Sequence, residues 1–152
     1  MKAIILILCS LLITPAWANT YVVGDQMETL KLQDQYEADY AIDSSIKQVL
    51  FSRSMDGGTI IQTALDEQPE LYNEGDLAYV ADVSGMPSII ARFVAIPQFK
   101  KFTYRVALDR DGEITKALPT KEDQATLIQI SDNKINKISY FYSAESLLEA
   151  LK

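Results

Sequence analysis

The stretch Gln48-Val49-Leu50-Phe51-Ser52-Arg53-Ser54-Met55-Asp56-Gly57-Gly58-Thr59 decides how this chain folds. Its first five residues are too few and too apolar for a surface helix, and they read as a buried central strand. Ser54 to Gly58 then turns the chain. From Thr59 to Asp66, the residues Ile60, Ile61, Ala64 and Leu65 fall on one helical face. A buried strand that hands over directly to an amphipathic helix is the first half of a βαβ unit. The run Leu77-Ala78-Tyr79-Val80-Ala81-Asp82-Val83, a second buried strand, supplies the other half.

Working outward, Ser84-Gly85-Met86-Pro87 ends that strand. Ser88 is predicted to cap a second helix, with Ile89, Ile90, Phe93 and Val94 as its packing face and Pro97 as its stop. Upstream, Leu30 and Leu32 within Glu28–Gln35 predict a first strand. Downstream, Tyr104–Leu108 is a strand followed by the turn Asp109-Arg110-Asp111-Gly112. Ala125–Ile130 and Ile135–Tyr142 form a hairpin about Ser131-Asp132-Asn133-Lys134. A last helix, capped by Ser143, spaces Ala144, Leu147, Leu148 and Leu151 three and four apart. No internal repeat or linker interrupts Tyr21 to Lys152. The class is α/β: a mixed sheet with helices on both faces.

The first 18 residues are set apart from this reading. Lys2, the apolar run Ala3–Ile13, Pro15 and Ala16-Trp17-Ala18 have the order of a cleavable signal peptide. The run is shorter than the roughly 20 residues that span a bilayer. The expectation is a signal peptide over residues 1–18, one domain over 19–152 and export, to a periplasm foremost, with release outside the cell as the alternative. The single cysteine, Cys9, lies inside the leader, and the chain has no histidine. That excludes thiol redox chemistry, Cys–His nucleophile pairs and the usual zinc sites from the mature domain. Without Lys2, the chain has 13 Lys and Arg against 21 Asp and Glu, a net charge of −8. Such acidity argues against a nucleic-acid partner and against anionic membrane surfaces once the leader is gone.

Gly24-Asp25 with Leu30, Leu32 and Asp34-Gln35 is similar to the opening of peroxiredoxins and their relatives. Ala125 to Ile135 resembles their late hairpin. Together with the element order, this resembles the thioredoxin-like fold over about Val23 to Lys152. The likeness extends to small periplasmic thioredoxin-like proteins that lack the redox cysteine pair. The resemblance implies redox cysteines between the second strand and first helix, where this chain has Phe51-Ser52-Arg53-Ser54-Met55-Asp56-Gly57-Gly58. It also implies a cis-proline before the late strand, where this chain has Gln124 or Ala125. Both hallmarks are absent, so the chain is read as no thiol oxidoreductase.

The candidate ligand-binding residues are Arg53, Ser54, Asp56, Gly57 and Gly58, because free N–H groups at a helix start can hold an anion. The plainer reading is that Asp56 or Thr59 caps the helix and the glycines make the turn. Asp109-Arg110-Asp111-Gly112-Glu113 has its glycine fourth, whereas a calcium loop needs it sixth, and it reads as an acidic hairpin turn. Ser52, Ser54 and Ser84 lack a Gly-x-Ser-x-Gly context. No catalytic residue, metal site or cofactor is assigned. Tyr140 and Tyr142 are candidate partner contacts, with cover by the terminal helix as the other reading. The leading functional reading is recognition of a protein or peptide at the groove around Arg53 to Gly58. One rival is an enzyme or small-anion binder in which Asp56 and Arg53 act on one ligand. The other is a homodimer assembled through the tyrosine edge.

Overall fold

The computed structural model describes residues 19–73 and 75–152, so the expected signal peptide over residues 1–18, with Cys9, lies outside the described residues. The elements run β1 (Leu30–Gln33), β2 (Asp39–Ile42), β3 (Gln48–Ser52), α1 (Met55–Glu67), α2 (Glu70–Asn73) and β4 (Leu77–Asp82). There follow a helical arm, then β5 (Val106–Asp109), β6 (Ala125–Ser131), β7 (Lys134–Phe141) and α5 (Ala144–Leu151). The arm consists of α3 (Ser88–Ile90), a π-helical segment (Ala91–Ala95) and α4 (Ile96–Phe99).

Seven strands form one mixed sheet in the order β2-β1-β5-β4-β3-β6-β7. β3, β4 and β5 are parallel neighbours; β1 and β6 join them antiparallel. All six residues of β4 are buried, as expected of a central parallel strand covered on both sides.

The chain steps from β3 to β4 to β5 in one direction across the sheet. Right-handed crossovers in the same direction put both connecting segments on the same face. Accordingly, Ile61, Ala64 and Leu65 of α1 share one core cluster with Leu147, Leu148 and Leu151 of α5. Ile96 and Phe99 of the arm pack against that cluster. Each large fully buried side chain in it stabilises the fold by about 2 kcal/mol. The opposite face buries Val49, Phe51, Val80 and Ile128, and its cover comes from Leu118, Ile46, Tyr21 and Met27 outside the helices. Both faces are covered, but the expectation of helices on both is corrected: the helices all pack on one face, and connecting segments cover the other.

Four local expectations are corrected. Helix α1 begins at Met55, not Thr59, because Ser54 in an extended conformation accepts from Gly57 N and is the cap in place of Asp56 or Thr59. Strand β2 is an addition: Asp39-Tyr40-Ala41-Ile42 has one buried residue and little pattern, yet it pairs with all four residues of β1. Ser88 does not cap the arm; Pro87 stands at that position without a side-chain bond. Pro97 does not stop the arm either. Ile96 donates five residues back to Ala91 O, and this wider turn lets the helix run on to Phe99.

Candidate functional site

The C-terminal ends of β3, β4 and β5 lie side by side, the position at which open α/β sheets bind ligands. Here that edge carries a network of paired polar groups. Arg53, just past β3, donates from Nε to Asp82 Oδ2 at 2.8 Å and from Nη2 to Thr115 O at 2.9 Å. Its guanidinium lies 5.3 Å from the Phe51 ring centroid. Asp82 Oδ1 accepts from Ser84 N at 3.0 Å and Ser84 Oγ at 2.6 Å. Burial alone would raise the pKa of Asp82, but the Ser84 and Arg53 bonds outweigh it and hold the carboxyl below its ordinary value.

Beside it, Asp109 is buried rather than solvated, correcting the acidic-turn reading. Its oxygens accept from Gly112 N and Thr115 N, at 3.0 and 2.7 Å. No hairpin follows; residues 110–124 connect β5 to β6 by a long path that includes the buried Thr115 and Leu118.

The five candidate ligand-binding residues are thus adjacent but do not share one task. Arg53 is committed to Asp82 and Thr115 O. Ser54 caps α1, and Gly57 N, the donor an anion would use, is bonded to Ser54 Oγ. Asp56 is exposed in the first turn. Gly57 is pressed against the backbone of Gln124: a Cβ there would lie 2.5 Å from Gln124 O. Gln124 occupies the place where the cis-proline was sought, and the described peptide bonds are trans. Arg53 therefore faces Asp82 rather than a shared anion with Asp56. Among the described residues, no group of His, Cys, Asp or Glu is arranged to hold a metal.

What the edge does offer is a cleft of about 250 Å³ between the start of α1 and the arm. Ser52, Tyr79, Ala81 and Val83 line it from the sheet side, Gly58 from α1, and Phe99 from the arm, with Met86 and Phe102 from the segments that flank the arm. Ser52 Oγ and Tyr79 OH satisfy each other at 3.0 Å. Burial pushes the Tyr79 phenol up to about 12, with the Ser52 bond pulling the other way. Met55 stands on one lip, 71% exposed, and Ile90 and Val94 on the other, 41% and 58% exposed.

The arm was expected to pack through Ile89, Ile90, Phe93 and Val94; instead these point to solvent while Ile96 and Phe99 pack on the core. Gln35 fixes the far end of the arm. Fully buried, it donates to Tyr104 O at 2.8 Å and Phe99 O at 3.3 Å and accepts from Val106 N at 2.8 Å.

Sequence reasoning missed Asp82 and the cleft floor. A signal for the first was present, since a carboxylate closing an apolar strand needs a cation. Tyr140 and Tyr142 lie at the end of edge strand β7. Tyr142 is 76% exposed, whereas Tyr140 is half-buried with Lys121 Nζ 4.5 Å from its ring centroid.

No family model matches the chain, and no curated protein matches it. Solved structures do. A proposed protein disulfide isomerase from Bacteroides thetaiotaomicron superposes with a TM-score of 0.59 at 15% identity, over 86% of each chain. A peroxidoxin from Mycobacterium tuberculosis gives 0.57 at 16%, over 85% of this chain and 93% of its own. An exposed lipoprotein thioredoxin from Streptococcus pneumoniae gives 0.56 at 20%, over 82% and 98%. The fold is thioredoxin-like, and this chain, with one cysteine in all, has no redox pair.

Proposed function

We propose that this protein is an exported, non-redox binding module that takes an apolar segment of a protein or peptide into the cleft between α1 and the arm. The observation that carries this reading is the lip of Met55, Ile90 and Val94, left in solvent around an apolar hollow. Large apolar side chains gathered on a concave surface favour a ligand that buries them. The neighbouring Arg53–Asp82–Ser84 network supports recognition rather than turnover, since its polar groups already satisfy one another.

Export rests on the order of residues 1–18, and the intact mass of protein recovered from fractionated cells tests it: a chain beginning at Asn19 in the exported fraction is expected. A photo-crosslinking residue at Met55, with Glu122 and Tyr142 as controls, tests the cleft. One partner captured at 55 and not at the controls, and lost when Val94→Asp is added, is the expected result. Equal capture at all three positions, or none, rejects the cleft. The exposed Tyr142 beside edge strand β7 supports the second reading, a homodimer, which sedimentation at two concentrations would detect.

A further inference from the structure

Net charge argues against a membrane partner, but the distribution of charge does not. Between Val83 and Leu108, the chain carries Arg92, Lys100, Lys101 and Arg105 and none of its 21 aspartates and glutamates. Arg105 is taken by Asp34 at 2.8 Å. Arg92, Lys100 and Lys101 are exposed, on the side of the arm and at its end. The same arm holds Ile89 and Phe93 one turn apart, 70% and 68% exposed, beside Ile90 and Val94. Ile89 and Phe93 take no part in the cleft. The Arg92 guanidinium itself lies 5.7 Å from the Phe93 ring centroid, which places a cation directly beside the apolar ridge.

We propose that this ridge seats the domain on an anionic lipid surface. Ile89 and Phe93 enter the boundary between headgroups and acyl chains, and Arg92, Lys100 and Lys101 meet lipid phosphates. Two features favour a bilayer over a protein groove. The ridge is an outward helix face that runs along the arm, and an acyl boundary accepts such an outline without a complementary surface. Its rim is cationic and its sequence acid-free, which suits a layer of phosphates. The exposed Asp56 stands on α1 and not on the arm, which itself contributes no carboxylate. Neither apolar insertion nor charge alone holds a protein firmly; their combination on one arm gives useful affinity. This inference is independent of the peptide-binding cleft, because its two anchor residues lie outside it.

The test is co-sedimentation of the exported protein, its N-terminus verified, with vesicles of phosphatidylcholine alone or mixed with phosphatidylglycerol, at low and high salt. Binding to the anionic vesicles that weakens in high salt is expected. Lys100→Ala with Lys101→Ala should weaken it roughly thirty-fold, the effect of two cations near an anionic surface. Ile89→Ser with Phe93→Ser, both at exposed positions, should abolish it while leaving the urea midpoint unchanged.

The chain has one tryptophan, Trp17 in the leader, so Phe93→Trp in the mature protein supplies a single reporter whose emission should shift to the blue on anionic vesicles. Absence of vesicle binding by the unaltered protein would overturn the proposal. So would binding that both double variants retain. An unshifted emission from the Phe93→Trp variant would likewise overturn it, as would a ridge that contacts only a protein when a crosslinker stands at Phe93.

Discussion

Replacing Gly57 by alanine should destabilise this protein, although the same change in most helices does the reverse. Glycine inside a helix costs about 0.5–1 kcal/mol relative to alanine, so on conformational grounds alone Gly57→Ala in α1 should be a gain. The surroundings reverse the sign. A Cβ at Gly57 would stand 2.5 Å from Gln124 O and 3.0 Å from Gln124 C. Those atoms are backbone, and they cannot swing aside as a side-chain tip would. Gln124 is buried, and Ala125, the next residue, opens β6 and pairs with Phe141 of β7. Relief requires α1 and the start of β6 to separate by more than half an ångström, roughly. Overpacking of this kind costs about 1–3 kcal/mol, and after the helical gain a net loss of about 0.5–2 kcal/mol is left.

Gly58 is the internal control. Its added Cβ would meet Tyr79 OH at 3.4 Å, ordinary contact, so Gly58→Ala should be neutral or stabilising by up to about 1 kcal/mol. Urea unfolding followed by circular dichroism reads both variants through their midpoints at constant slope. A Gly57→Ala midpoint equal to or above that of the parent would refute the close approach of α1 to the Gln124 segment. With it would go the account of why glycine stands at position 57.

Acid stability should depend on Asp82. Its pKa is lowered on folding, so the unfolded state binds more protons, and the carboxylate contributes stability above its unfolded value near 4 that is lost as pH falls through the folded value. Asp82→Asn should cost roughly 2 kcal/mol at neutral pH, discounted for the partly exposed Arg53, and should flatten the acid limb of a stability–pH profile. A variant with an unchanged acid limb would remove Asp82 from that role. Gln35→Ala should cost about 3 kcal/mol, because the buried Val106 N–H and Tyr104 carbonyl lose their partner and a cavity opens. It should also expose the arm to proteolysis near Phe99; equal digestion of parent and variant would show that the arm does not depend on this link.

Much of the fold was legible because its signals are local. The buried strands at Gln48–Ser52 and Leu77–Asp82, the late hairpin and the Ser143-capped helix were all visible in runs of a few residues. Strand β2 was not, since Asp39–Ile42 becomes a strand by pairing with β1 rather than by its own pattern. The candidate site was half legible. Residues 53 to 58 do border the cleft, through Ser54, Met55 and Gly58. The commitment of Arg53 depends on Asp82, 29 residues away, and on Thr115, 62 residues away.

By itself, the sequence determined which reactive side chains are missing, with no histidine and a single cysteine at position 9, and the alternation of strands and helices that a thioredoxin-like sheet requires. Only the tertiary structure decided which way the arm faces. Apolar residues occur on more than one side of Ser88–Phe99, so periodicity offers two candidate inner faces and no means of choosing between them. The choice was made by Ile96 and Phe99, seated on the core, and by Gln35, which holds the arm's far end from 64 residues away. With that end fixed, Ile89 and Phe93 were left to solvent, and Ile90 and Val94 to the lip of the cleft.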